Sequence, residues 1–427
     1  MVTWTECALQ TTEERLLSHL FSNHNKLVVP ILNRSQPIEV TFGIELNQIL
    51  KIDDRSQLIH TKVWVRQTWT NHLIKWNASQ WDDIDFLMVD PGDVWTPDMV
   101  LYDSTDTGVA GGPNIYKTQI AMYPNGVHRW LSPAIFTSSC NINIKYFPFD
   151  HQVCSMKFGS WSYDASKIKA KKDTRDVVSP LYIPSAEWEI KKVDNVENLV
   201  YYACCANAFS DVTIRFHLRR KPSFYVFNVI VPCLVLALTI LFGFFFPPQS
   251  GERIGLIITI LLAMAVFIQI ISDTLPVNSD ETPKLSLFYM VILIECAASL
   301  ATTCCVLVFH YKGVEGDSKP MPRWAQRIFI DGLANKLGFL DKQNVTANDV
   351  KEVYENQIST ENGTGDQEKN INEEKKNEIS DKQKEVNRNW ILLGKVFDFI
   401  FFILFFMTLA ISAISIIIPA YLHGGED

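Results

Sequence analysis

Along the first half of the chain, from about residue 36 to 221, apolar and polar positions alternate in short runs separated by Pro, Gly and Asp. The clearest runs are Ile38–Leu46, His60–Trp69, Gly126–Leu131, Asn141–Ile144, His151–Phe158 and Thr213–Leu218. A period of two sends successive side chains to opposite faces, so each run predicts a half-buried strand. Their regular spacing predicts an all-β sandwich of immunoglobulin-like topology. In the run through residues 61–69, Val63, Val65 and Gln67 share one face, and Trp64, Arg66 and Thr68 share the other. Before the strands, TTEERLLSHLFS at residues 11–22 reads as a short capped helix.

The second half has a different rhythm. Phe224–Phe246 holds 23 residues without a charge, and Ile254–Ile271 holds 18 interrupted only by Gly, Thr and Gln. Leu285–Phe309 carries one charge, Glu295, and Trp390–Pro419 carries Lys395 and Asp398 near its start. Each run is long enough to cross a hydrocarbon core as a helix of roughly 20 residues. Between the third and fourth runs, residues 321–340 place Trp324, Ile328, Leu333 and Leu337 near helical spacing, with Arg323, Arg327 and Lys336 opposite, as in an interfacial helix. The stretch that follows is polar and almost free of aromatics, which predicts disorder. Residues 373–389 then predict a helix leading into the fourth run.

The expected organisation is an extracellular sandwich over residues 1–221 and a four-helix transmembrane bundle, with spans one to three in 222–310 and the fourth in 390–419. An intracellular segment, 311–389, and an extracellular tail, 420–427, complete it. No secretory signal opens the chain, so a leader removed ahead of residue 1 is expected. Asn33 and Asn77 head glycosylation acceptor triplets, in keeping with an outside location. Arg215, Arg219, Arg220 and Lys221 before the first span oppose the positive-inside rule, which large translocated domains override.

Composition narrows the function. The 427 residues are 47% hydrophobic with a net charge of −8, which gives no reason to expect nucleic acid. There is no metal-spaced Cys/His set and no nucleophilic triad motif, so neither an enzyme nor a cofactor is expected. Cys140 and Cys154 enclose 13 residues, a loop whose closure by a disulfide is worth roughly 3 kcal/mol. Such a bond needs an oxidising compartment. Cys204 and Cys205 are adjacent, and ordinary disulfide geometry does not fit neighbours. They are either reduced or closed into a strained ring.

The Cys140–Cys154 loop contains Phe147-Pro148-Phe149-Asp150 and precedes four spans grouped three and one. With Trp95-Thr96-Pro97-Asp98, Gly159-Ser160-Trp161-Ser162-Tyr163 and the paired cysteines, the chain resembles a subunit of the pentameric Cys-loop ligand-gated ion channels, nicotinic acetylcholine receptor branch. The resemblance implies four further subunits, identical or different, in a plasma membrane, and synaptic placement. It also implies a vicinal Cys204–Cys205 disulfide on a loop that closes over the agonist.

By position, the resemblance makes Tyr102, Trp161, Tyr202 and Phe209, with Cys204 and Cys205 above, a principal binding face. Aromatic faces hold an ammonium by about 0.5–2 kcal/mol each. Trp64, Arg66, Met122, Arg129 and Leu131 fall on the complementary face that a neighbouring subunit meets. Two guanidiniums beside a cation pocket would repel a cation unless carboxylates neutralise them. Three readings follow: the arginines point to solvent, the small ligand is zwitterionic rather than a simple amine, or the chain gives only the principal face of a heteromer and does not gate alone.

Within residues 251–273, Glu252, Gly255, Thr259, Leu262, Val266, Gln269 and Asp273 recur at steps of three and four, one stripe of a helix. Five copies would enclose a pore with acidic rings at both mouths and a Leu262–Val266 constriction, suited to sodium and potassium, with calcium open. Ser250-Gly251-Glu252-Arg253 lacks the proline that anion-selective relatives insert before the basic residue. By the same resemblance Asp54, Phe147, Pro148, Phe149, Arg220 and Pro276 are expected at the junction with the lipid-embedded part, with Asp54 paired to Arg220; the alternative is that both are merely solvated charges.

Overall fold

The computed structural model describes residues 11–22, 24–31, 36–105, 116–248, 251–275, 282–314, 320–337 and 367–423. Asn33 and Pro276 lie outside the described residues, as does most of the stretch expected to be disordered; its end, from Gln367, is helical. The chain divides into two compact units, one of strands and one of helices.

In the first unit, α1 (Thr12–Phe21) starts on a capping box: the Thr11 hydroxyl accepts from the Glu14 amide, and the Glu14 carboxylate accepts from the Thr11 amide. One sheet contains β1 (Ile38–Asp53), β2 (Leu58–Thr70), β3 (Leu87–Val89), β5 (Ile120–Met122), β6 (Val127–Ser139), β8 (Ile168–Lys172) and β9 (Val178–Ile183). Its order is β3-β5-β6-β2-β1-β8, with β9 also against β1. The other sheet runs β10 (Trp188–Val200), β11 (Phe209–Arg220), β7 (His151–Ser160), β4 (Met99–Leu101). Inward apolar positions meet between the sheets: Phe158 of β7 packs 4.6 Å from Phe42 of β1 and 5.4 Å from Phe136 of β6.

Asn141–Ile144, expected as a strand, is not one, although Ile142 and Ile144 are buried. The Gln152 side chain pairs with this segment instead of a neighbouring strand, its carbonyl accepting from the Asn143 amide at 2.9 Å and its amide donating to the Asn143 carbonyl at 2.8 Å. The Cys140–Cys154 disulfide is present, its Cα atoms 5.0 Å apart.

Among the described residues of the second unit, four helices are long and apolar enough to cross a membrane: α2 (Ser223–Gly243), α3 (Glu252–Thr274), α4 (Lys284–Val314) and α6 (Gln367–His423). In α2, Val226–Ile230 is π-wound, and the Tyr289 hydroxyl of α4 donates to the Val229 carbonyl at 2.9 Å. Where α4 meets α6, a Cβ on Gly313 would stand 2.5 Å from Ile391 Cγ1, so only glycine permits this approach. Cys304 and Cys305 of α4 are free thiols and exposed.

A short turn, Arg323–Ala325, continues as the π-wound segment Gln326–Ala334, together α5. Its Ala325 and Ile330 pack with Met321, Leu392 and Leu393, while Trp324, Ile328 and Leu337 are exposed. The helix thus has two apolar sides. Leu333, expected on the same stripe as these three, is half-buried.

Candidate functional site

Two sets of side chains on the sandwich, and one face of α3, gather the residues singled out above. The first set surrounds the β10–β11 hairpin. Cys204 and Cys205 are joined in a disulfide at its tip, which answers the question their adjacency posed. Tyr202 meets Phe209 edge-on with centroids 5.8 Å apart, and Tyr102 meets Trp161 likewise at 5.8 Å. Trp161 is 71% exposed, an unusual position for a ring that only fills a core.

Local hydrogen bonds hold this arrangement. Asp98 accepts from the Ser160 hydroxyl at 2.5 Å and from the Ser162 amide at 2.8 Å, gripping the chain on both sides of Trp161. The Tyr102 hydroxyl donates to the Ser160 carbonyl at 2.7 Å. A Cβ on Gly159 would lie 2.7 Å from that hydroxyl, so glycine is needed beneath it. Burial raises the Tyr102 hydroxyl well above its ordinary range, and it stays a neutral donor.

Lys157 is the residue that sequence reasoning missed. Its ammonium lies 5.5 Å from the ring centroids of both Tyr102 and Tyr202, donates to the Tyr202 hydroxyl at 2.9 Å, and stands 3.3 Å from Asp211. Asp211 is in turn fixed by Asn198 at 2.7 Å and Thr213 at 2.8 Å. Burial tends to lower the Lys157 ammonium, but the Tyr202 hydrogen bond and the Asp211 charge outweigh it and raise it. The alternation of β7 marked Lys157 only as an outward lysine on a strand; nothing in its run marks the aromatics beside it.

The second set lies on the outer face of the large sheet. Trp64 is 37% and Leu131 57% exposed, and the Arg129 guanidinium sits 5.0 Å over the Tyr123 ring. Two expected members are not there. Met122 is fully buried: β5 alternates so that Ala121 and not Met122 faces outward. Arg66 is only 7% exposed and is enclosed by acceptors. It donates to Glu45 at 2.6 Å, to Asp173 at 2.9 Å and to the Asp176 carbonyl at 3.2 Å. It ties the 173–178 segment across β1. Arg66 shares a strand face with Trp64, but its charge is neutralised from below and is not offered to a ligand.

Burial would raise the Asp173 carboxyl, yet the Arg175 hydrogen bonds and the Arg66 and Arg175 charges hold it below the usual carboxylate range. Asn77 is exposed, and its side-chain carbonyl accepts from the Ser79 hydroxyl of its own triplet at 2.9 Å.

At the end of β11, Arg220 is fully buried. It pairs with Asp54 at 2.8 Å, as expected, but also with Asp150 at 2.8 Å and Glu187 at 2.7 Å. Its guanidinium also lies over the rings of Trp188 at 4.2 Å and Phe147 at 5.0 Å. The two are thus paired and not merely solvated: three acidic side chains from distant turns converge on one desolvated cation. Phe147 and Pro148 are buried and Phe149 half-buried, so this loop tip is packed rather than projecting.

On α3, Glu252, Gly255, Thr259, Leu262, Val266, Gln269 and Asp273 are all exposed along one face. Ile257, Ile260, Met264 and Ile271 are buried on the other. Arg253, next to Glu252, turns to the buried side, 2.7 Å from Asp398 of α6 and over the Phe244 ring at 4.8 Å. Among the described residues no cluster of three or more His, Cys, Asp or Glu side chains could hold a metal ion.

Comparison with known proteins accounts for both units. Residues 13–222 match the family model of the neurotransmitter-gated ion-channel ligand binding domain, and residues 229–384 match that of the neurotransmitter-gated ion-channel transmembrane region. The neuronal acetylcholine receptor subunit alpha-6 of Homo sapiens is 35% identical over 354 residues, 81% of this chain and 69% of that protein. Subunit alpha-3 of Mus musculus is 33% identical over 338 residues, 79% of this chain and 66% of its own length. The alpha-type acr-16 subunit of Caenorhabditis briggsae is 35% identical over 318 residues, 74% of this chain and 63% of its own. With a matched sandwich, a matched helical unit and relatives of this kind, the chain belongs to the neurotransmitter-gated ion-channel family as a nicotinic-type subunit.

Proposed function

We propose that five such subunits, four of them copies or relatives of this chain, surround a cation pore lined by α3, and that an ammonium-bearing agonist opens it. The observation that carries this reading is the polarity of α3. One exposed face begins with Glu252 and ends with Asp273, while the only basic residue of the helix, Arg253, is buried against Asp398. A ring of five such faces would present carboxylates and no guanidinium to permeating ions, which favours sodium and potassium over chloride. Leu262 and Val266, 66% and 54% exposed on the same face, would form an apolar constriction that closes by dewetting.

The principal binding face is assigned to Tyr102, Trp161, Tyr202 and Phe209 under the Cys204–Cys205 tip. Supporting this, Lys157 already lies over two of these rings, so the surface accommodates an ammonium. An agonist cation would compete with Lys157 for the rings and shift its bond to Tyr202. That strand, β11, ends at Arg220, three residues before α2 begins, so movement of the hairpin has a covalent route toward the helices. Binding energy then biases a closed–open equilibrium.

Reversal potentials test the pore. Replacing external sodium by an impermeant cation should shift the reversal potential strongly and replacing chloride should not; Glu252→Lys should weaken that cation dependence. A reversal potential that follows chloride sinks the reading.

A further inference from the structure

We propose that the edge of the smaller sheet carries a separate ligand site, for an elongated apolar molecule ending in a carboxylate. The site is a cavity of about 880 Å³ between β10 and the segment 172–184, within the range of small-molecule sites. It shares no residue with the aromatic set, so it stands independently of the agonist reading. β10 is the edge strand of its sheet, next to β11 alone among the described strands. β9 lies along β1 instead, so the 172–184 segment passes β10 without extending its sheet.

One face of β10 makes the floor. Trp188, Ile190, Val193 and Asn195 all line the cavity, and they pair with Arg220, Leu218, Phe216 and Ile214 of β11, which are buried. Strict alternation would turn Val193 and Asn195 to the other side, since Ile190 and Val193 are three positions apart. The register shift between Ile190 and Lys192 absorbs the extra residue and keeps all four on one face. The floor is thus a strip about 20 Å long at the rise of a strand. Val177 and Val178 add apolar surface to the wall.

The rim is cationic. Five lining residues are Lys or Arg and three are Asp or Glu, so the balance favours an anion. Two of the acids are already held, Asp173 by Arg66 and Arg175, and Glu189 by Lys191. Lys172 donates to the Asn195 carbonyl at 3.4 Å and Lys221 to the Ser185 carbonyl at 2.8 Å. Among the described residues no carboxylate pairs with either ammonium. Trp188 is 2% exposed, and its indole N–H has no hydrogen-bond partner among the described residues. A buried donor left unpaired is destabilising, and a carboxylate drawn in by the lysines is the acceptor it lacks. A cation would be repelled by this rim, and an uncharged apolar molecule would leave it unmet. An alkyl carboxylate satisfies strip and rim together.

The test uses the full-length channel at the cell surface, with Ile190→Cys as a reporter thiol on the floor and Val153→Cys as an exposed position on β7 outside the wall. Labelling by a soluble methanethiosulfonate is timed with octanoate or dodecanoate present, each beside its alcohol, which keeps the chain and removes the anion; labelling of the parent chain is subtracted. Dodecanoate should slow labelling of the Ile190→Cys thiol at a concentration roughly tenfold to a hundredfold below dodecan-1-ol, the range of a charged hydrogen bond. It should leave Val153→Cys unchanged. Lys172→Gln combined with Lys221→Gln, both at exposed positions, should bring the acid to the level of its alcohol, and the matching Arg pair should keep the difference. Acids that give no protection, alcohols as potent as their acids, equal slowing at Val153→Cys, or an acid advantage that survives loss of both lysines would overturn the proposal.

Discussion

Arg220 Nη1 lies 2.8 Å from Asp54 Oδ2, with the two side chains 0% and 8% exposed, so this ion pair is part of the core of the sandwich. Asp150 and Glu187 complete the shell around the guanidinium. Removing the cation should therefore do far more harm than removing one anion. Arg220→Gln strands buried carboxylates and should cost roughly 3–5 kcal/mol, seen as loss of surface-expressed channel. Asp54→Asn should be much milder, because burial already lifts the Asp54 carboxyl above the usual range against the pull of Arg220. Exchanging the charges, Arg220→Asp with Asp54→Arg, should not rescue expression, since Asp150 and Glu187 would then face a carboxylate; full rescue would show that the pair acts alone.

Lys157 links the hairpin to β7 through Tyr202 and Asp211. Lys157→Gln keeps a donor but removes the charge that an agonist cation must displace from the Tyr102 and Tyr202 rings, and it should shift the agonist concentration–response curve to lower concentration by roughly tenfold. Tyr202→Phe keeps the ring and removes the bond to Lys157, so it should weaken gating more than binding. Comparing displacement with current separates the two effects, and equal losses in both would count against a linking role.

The inner end of α3 offers a parallel case. Arg253 is 3% exposed and faces Asp398 of α6. Asp398→Asn leaves a buried guanidinium without its counter-charge, at a cost of about 3–5 kcal/mol. Thermal unfolding of the detergent-solubilised channel should fall by several degrees. Asp398→Glu should recover much of the loss, and an unchanged melting curve for Asp398→Asn would rule the pair out as a stabiliser.

His128 makes a pH prediction. Burial, with a smaller effect from nearby His24, pushes its imidazole down to about 4, and the hydrogen bond it donates to the Gly126 carbonyl at 2.9 Å only partly opposes this. An unfolded histidine titrates near 6.5, so between those values the unfolded chain binds the extra proton. The stability His128 contributes is present above about 6.5 and is lost as the pH falls toward about 4. His128→Gln should flatten the acid limb of a stability–pH profile over that window; an unaltered limb would place the acid sensitivity elsewhere.

What was legible in the sequence is what depends on near neighbours. The capping box at Thr11 and Glu14, the alternation of β1, β2, β6, β7 and β11, the apolar runs and the single face of α3 all follow from periodicity over a few residues. Adjacent cysteines could be noticed, but their bonded state needed the family resemblance and then the hairpin itself. Partners across the fold were invisible. Arg66 and Asp173 are 107 positions apart and Arg220 and Asp150 are 70 apart, and in each case the charges meet only because strands distant in the chain lie side by side in one sheet, β8 next to β1 and β1 next to β2, and β7 next to β11. The same limit moved Met122 inward, because a one-residue change of register in a strand of three residues reverses its face without altering its composition. The sequence by itself determined which segments span, alternate and cap, since those preferences are local free energies summed along the chain. The tertiary structure alone decided which charges are neutralised and which stay open to a ligand, because desolvation and pairing depend on distance in space.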